Sequence, residues 1–138
     1  MKIAYSGKVL LLGCGAVSQC LQPLLLKHLD MDFSKFTIID MSDRNGRAEG
    51  VIAAGGKFVK HRIHRDNLYE TLATHVGPGD LVVDVSFNLQ ITDILQWCHD
   101  NGVMYINTAT ELWDPYETNV PPNQRTLYVR HMMVRGLM

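Results

Sequence analysis

The stretch that most constrains this chain is "LLLGCGAVSQC", residues 10–20, an apolar run that breaks into two glycines one residue apart and then resumes with helical spacing. A glycine removes the side chain that holds other groups at a distance. Paired glycines between a strand and a helix therefore mark a place where something approaches the backbone closely.

The apolar pattern on either side says what sort of fold carries that loop. Residues 8–12 read as a short strand, and Val17, Leu21, Leu24, Leu25 and His28 then recur at helical spacing, which predicts that they form the buried stripe of a helix. Pro23 falls inside that helix and should bend it or mark a local irregularity. Residues 36–40 form a second strand, and 43–54 a weaker helix stopped by Gly55 and Gly56. Residues 57–63 read as a third, more polar strand toward one edge of the sheet. Asp66 is the expected N-cap of a helix carrying Leu68, Leu72 and Val76, and Gly77-Pro78-Gly79-Asp80 turns the chain into a fourth strand over 81–85. A helix beginning at Leu89 has Ile91, Ile94, Leu95 and Cys98 as its stripe, Asn101-Gly102 ends it, and 103–106 is a fifth strand. Beyond a polar stretch and Pro121-Pro122, a last helix is expected over 123–135.

Strands alternating with helices at this spacing imply right-handed βαβ units and a parallel sheet covered on both faces. The fold class is α/β, a Rossmann-type doubly wound parallel sheet in a single domain. A length of 138 residues with 46% hydrophobic and 20% charged residues supports one core. Residues 1–120 are assigned to that domain and 121–138 to a terminal helix.

Charge and cysteine usage narrow the function classes. A net charge of −1 leaves no basic footprint for a phosphate backbone, so no nucleic-acid partner is expected. No stretch is long and apolar enough to cross a bilayer and the amino terminus lacks a signal-peptide pattern, so no membrane partner and a cytoplasmic location are expected. Cys14, Cys20 and Cys98 are odd in number and lack metal spacing, which points to reduced thiols. His61 and His64, three apart in an extended segment, would point to opposite faces, so no metal site is assigned.

In a doubly wound sheet ligands bind at the carboxyl ends of the strands, near the point where strand order reverses. Gly13, Gly15, Ala16, Val17 and Ser18 follow a strand and open a helix, the context a dinucleotide fingerprint requires. Gly13 would permit the tight turn, and Gly15 would let a pyrophosphate sit against free helix N–H groups. Ser18 stands where a third glycine is usual, and is small enough for close helix–strand packing. Asp40 ends the second strand, where a carboxylate accepts hydrogen bonds from a ribose and repels a 2′-phosphate, favouring NAD over NADP. Ser42 follows in the same loop, while Arg44 reads as a solvated residue. The alternatives are that Asp40 is a strand-end cap and that the glycines serve only to make a tight turn. Ser86, Phe87 and Asn88 after the fourth strand, and Thr108, Ala109 and Glu111 after the fifth, should line the cleft; Ser86 and Asn88 could instead cap the next helix. A carboxylate beside an aromatic ring, Glu111 with Trp113, suits a cationic amine, although a loop glutamate near a packed tryptophan has the same composition.

The segments "GKVLLLGCGAVSQCLQPLLLKH", "TIIDMSD", "HRDNLYETL" and "YINTATELWDPY", in this order, resemble the amino-terminal part of bacterial homospermidine synthase over nearly the whole chain. That family is related in fold to saccharopine and carboxynorspermidine dehydrogenases. The resemblance implies NAD as cofactor and a polyamine, putrescine, as substrate: a hydride passes to NAD, the imine exchanges with a second amine, and the hydride returns to give sym-homospermidine. It also implies that Glu111 is an active-site glutamate, with Asn88 and Trp113 beside it. Asn88 falls where some members carry Asp. Family members are several times longer and supply much of the substrate pocket from a second domain. This chain is therefore expected to be a cofactor-binding part, inactive alone, with a homodimer as the candidate assembly of a full-length enzyme. Two rivals are a non-catalytic nucleotide-binding regulatory module and an S-adenosylmethionine methyltransferase. The latter usually has an acidic residue just before its first glycine, where this chain has Leu11-Leu12.

Overall fold

The computed structural model describes residues 1–115 and 121–136. Two short strands that the sequence reading lacks, β1 (Ile3–Ala4) and β3 (Leu29–Asp30), pair in parallel beside the main sheet. The main sheet holds β2 (Val9–Leu12), β4 (Phe36–Asp40), β5 (Lys57–Lys60), β6 (Leu81–Asp84) and β7 (Met104–Asn107), in the order β5-β4-β2-β6-β7, all parallel.

β2 is central, and its four residues are all buried, as expected of a parallel strand covered on both faces. Leu10 and Leu12 join one core cluster with Leu68, Leu72, Val82 and Ile94. Val9 and Leu11 join the other, with Phe36, Ile38, Val51 and Val83. The chain steps outward from β2 through β4 to β5, then returns to β6 on the other side. That reversal opens a crevice at the carboxyl ends of β2 and β6, the topological switch point of a doubly wound fold.

Several elements differ from expectation, each for a local reason. Helix α1 (Ala16–His28) runs unbroken through the exposed Pro23, yet it buries Ser18 and Gln22. Val17 and Leu24, expected inside, are 52% and 54% exposed. Gln22 Nε2 donates to Ser18 Oγ at 3.0 Å and lies 3.8 Å from Cys14 Sγ, so a small polar cluster fills the space beneath the glycine loop. Leu21 and Leu25 still pack against the second cluster as partly buried residues. The expected helix over 43–54 resolves into a 3₁₀ turn at Asn45–Arg47 followed by the short α2 (Glu49–Ala53).

β5 ends at Lys60, three residues early, because the chain turns. Asn67 Oδ1 accepts from His64 N at 2.7 Å and its Nδ2 donates to Arg62 O at 3.0 Å, stitching a tight turn across residues 62–67. Asn67, not Asp66, is the N-cap residue of α3 (Leu68–His75). α4 (Ile91–Asp100) begins two residues after the buried Leu89, with Gln90 as N-cap, so neither Ser86 nor Asn88 caps it. The last helix, α5 (Leu127–Arg135), is shorter than expected and is preceded by a 3₁₀ turn at Pro122–Gln124; Thr126 caps it through Oγ1. Among the described residues no helix is long and apolar enough to cross a membrane.

Candidate functional site

The two glycines of the opening motif do different work. Gly13 has φ +94°, and a Cβ there would lie 2.9 Å from Val85 O and 3.0 Å from Ser86 Cα. Its need is internal, since the backbone leaving β6 crosses directly against it. Gly15 is the N-cap of α1 with an ordinary φ of −85°, and a Cβ there would meet nothing within 4 Å. Its open face adjoins the crevice. α1 has no side-chain cap and no acidic residue in its first turn, so its free N–H groups and positive dipole end are available to an anion.

Asp40 is laced to that loop. Its Oδ2 accepts the Cys14 amide at 2.7 Å, its Oδ1 accepts the Ser42 amide at 2.8 Å, and Arg44 Nε lies 3.5 Å from Oδ1. The carboxylate thus ties the end of β4 to the turn after β2 while its charge faces the same cavity. Cys14 is fully buried and its thiol pKa is raised, chiefly by that burial, so it is a packing residue and not a nucleophile.

A cavity of about 610 Å³ occupies the crevice. Of the residues singled out from sequence, Gly13, Gly15, Asp40, Ser86, Phe87, Asn88 and Trp113 line it. Asn88 adopts a left-handed conformation (φ 57°), and its buried Oδ1 has no partner among the described residues. Trp113 packs its ring against the first core cluster and donates from Nε1 to Asp93 Oδ2 at 2.7 Å. That bond ties the loop after β7 to the first turn of α4 and leaves the ring as the cavity wall.

The other candidates stand outside the cavity. Ala16 and Val17 are exposed on the first turn of α1, and Ser18 is fully buried beneath it. Ser42 is half-buried behind Asp40, and Thr108 and Ala109 are exposed beyond β7. Glu111 is half-buried, and its backbone carbonyl accepts the Ile91 amide at 3.2 Å, satisfying a helix-end donor of α4. Sequence reasoning missed the wall after β5, where His61, Arg62, Ile63 and His64 line the cavity along with Met41 and Arg44. The signal was present: this is the carboxyl end of a third parallel strand, but the segment was read as more strand. Among the described residues no cluster of three or more His, Cys, Asp or Glu could hold a metal; His61 Nε2 lies 3.1 Å from Thr71 Oγ1 instead.

Beneath Ser86 lies a buried polar knot. Asp84 is 7% exposed and accepts the Ser86 amide at 3.0 Å, the Ser86 hydroxyl, and the Tyr105 hydroxyl at 2.9 Å. Burial, reinforced by the Asp84 charge, pushes the Tyr105 phenol far above its ordinary pKa and the Cys98 thiol up to about 12.

Residues 9–138 match the saccharopine dehydrogenase NADP binding domain family. The chain belongs to that family. It is 30% identical over 127 residues to the homospermidine synthase of Blastochloris viridis, covering 88% of this chain and 26% of that protein. It is 28% identical over 111 residues to that of Mesorhizobium japonicum, covering 78% and 22%. Among solved structures, the homospermidine synthase of Legionella pneumophila in complex with NAD superposes with a TM-score of 0.80 at 27% identity, over 97% of this chain and 27% of that one. This member of the dinucleotide-binding domain family therefore spans about a quarter of the relatives it matches. Its donor set suits such a cofactor: an open glycine, uncapped helix amides and a strand-end carboxylate around one cavity.

Proposed function

We propose that this chain is the NAD-binding part of a homospermidine synthase. The observation that carries the reading is the open Gly15 at the uncapped start of α1, facing the same crevice as Asp40 in a chain akin to homospermidine synthases. The first-turn amides bind the pyrophosphate, and Asp40 accepts ribose hydroxyls. NAD is preferred over NADP because the Asp40 carboxylate repels a 2′-phosphate and Arg44, the nearest cation, is held in an ion pair with it.

Bound NAD would supply the hydride acceptor for oxidation of putrescine and the donor for the closing reduction, with no net redox change. The chain's own part is to hold and orient. Glu111 is the carboxylate assigned to a substrate ammonium, Trp113 supplies an aromatic wall, and Asn88 offers its unpartnered Oδ1 to a donor on the cofactor or the diamine. In this reading Ala16, Val17 and Ser42 flank the cofactor contacts, the buried Ser18 supports the glycine loop from beneath, and Thr108 and Ala109 extend the cofactor site beyond the cavity. A cytoplasmic location and a homodimeric full-length enzyme belong to the same proposal.

The test is a chimera in which this chain replaces the matching quarter of the Blastochloris viridis enzyme. It should form homospermidine from putrescine and NAD⁺, and Glu111→Gln should abolish that while leaving NAD⁺ binding. A chimera that binds NAD⁺ and remains active with Glu111→Gln removes Glu111 from the site. The isolated chain should form no homospermidine.

A further inference from the structure

Asp84 and Ser86 form a device that the cofactor reading does not use. All three groups on the Asp84 carboxylate are donors: the Ser86 amide and hydroxyl on Oδ1, and the Tyr105 hydroxyl on Oδ2. An amide N–H can only donate, and the buried Tyr105 phenol stays protonated beside the carboxylate. A serine hydroxyl has a single hydrogen. With that hydrogen committed to Asp84, Ser86 has only lone pairs left for whatever occupies the cavity it lines. A freely rotating serine could turn to donate to a phosphate or carbonyl oxygen; this one cannot while Asp84 holds it.

We propose that Asp84 is a positioning residue that fixes the Ser86 hydroxyl as an acceptor only, so that this part of the cavity selects an O–H or N–H donor of the bound dinucleotide. The proposal rests on the dinucleotide reading above. The donor is either a hydroxyl or amino group of the ADP-ribose portion or the amide of the nicotinamide.

Calorimetric titration of the 138-residue chain with NAD⁺ and with ADP-ribose tests it, on the wild type, Ser86→Ala, Asp84→Ala and the double variant. Ser86→Ala should weaken NAD⁺ binding about fivefold, the worth of one neutral hydrogen bond. Asp84→Ala removes the acceptor that holds the hydroxyl, which is then free to turn, and should cost about the same. The double variant should bind no more weakly than either single one, because both act through one hydroxyl; two unrelated structural losses would multiply to about 25-fold. Ser86→Thr, which keeps the hydroxyl, should restore binding, and it decides the matter with Ser86→Ala if Asp84→Ala does not fold. A loss repeated with ADP-ribose places the donor on that portion, and a loss confined to NAD⁺ places it on the nicotinamide amide. Wild-type affinity in folded Ser86→Ala, or multiplying losses, overturns the proposal alone. A folded wild type that binds neither ligand overturns the dinucleotide reading and this inference with it.

Discussion

Substituting each glycine of the opening motif by alanine should give opposite phenotypes. At Gly13 the backbone has φ +94°, where an L side chain costs roughly 1–2 kcal/mol. The added methyl would also sit 2.9 Å from Val85 O and 3.0 Å from Ser86 Cα, both backbone atoms of the neighbouring strand end that cannot swing aside. Overpacking of that kind costs about 1–3 kcal/mol, for a combined loss of about 2–5 kcal/mol. For a domain of this size about 4 °C accompanies each kcal/mol, so Gly13→Ala should lower Tm by roughly 8–20 °C. Gly15 has φ −85° and open space at its Cβ position. Gly15→Ala should change stability by less than about 1 kcal/mol, since the weaker N-cap is offset by a stiffer unfolded chain. Its methyl instead enters the crevice and should weaken NAD⁺ binding at least tenfold. Thermal unfolding by circular dichroism, with calorimetric titration of the folded variants, separates the two effects. A Gly13→Ala protein melting within 3 °C of wild type, or Gly15→Ala binding NAD⁺ unchanged, would refute this division of labour.

Other substitutions and conditions probe the rest of the site. Asp40→Ala strips the acceptor from the Cys14 and Ser42 amides and should cost about 1–3 kcal/mol in urea unfolding, with weaker NAD⁺ binding and a narrower preference over NADP⁺. Trp113→Phe keeps an aromatic wall but loses the bond to Asp93, so denaturant unfolding should register a loss of about 1 kcal/mol. Of the three thiols only Cys20 is exposed, so a disulfide reagent at pH 8 should titrate one per native chain and three after unfolding. Cys98 keeps its proton in the fold up to about pH 12 while the unfolded chain gives it up near its ordinary value of 9.0. The unfolded state therefore binds fewer protons above pH 9, and this thiol's contribution to stability is present below pH 9 and lost between about pH 9 and 12. Cys98→Ala should flatten that part of a stability-versus-pH curve.

Alternating apolar runs and glycine-rich turns made the sheet legible from sequence, because parallel strands buried on both faces read as continuous Val, Ile and Leu. The switch point followed from the order of elements alone. Burial on α1 was not legible: periodicity assumes that the apolar residues face inward, whereas the space under a glycine loop is too small and too polar for that, and Ser18 and Gln22 take it. The wall after β5 was hidden too, since the basic run over 60–64, broken only by Ile63, reads as the continuation of a polar strand until Asn67 folds it into a turn. Asp84 gave no signal at all, because its role depends on Ser86 two residues on and on Tyr105 across the sheet.

The roles given to Gly15, Asp40 and Ser86 all depend on NAD occupying this crevice. Titration of the purified chain with NAD⁺, NADP⁺ and S-adenosylmethionine, under conditions where circular dichroism shows it folded, tests that most directly. Saturable one-to-one binding of NAD⁺, weaker binding of NADP⁺ and none of S-adenosylmethionine is the expected result. A folded chain that takes up S-adenosylmethionine, or neither dinucleotide, contradicts it.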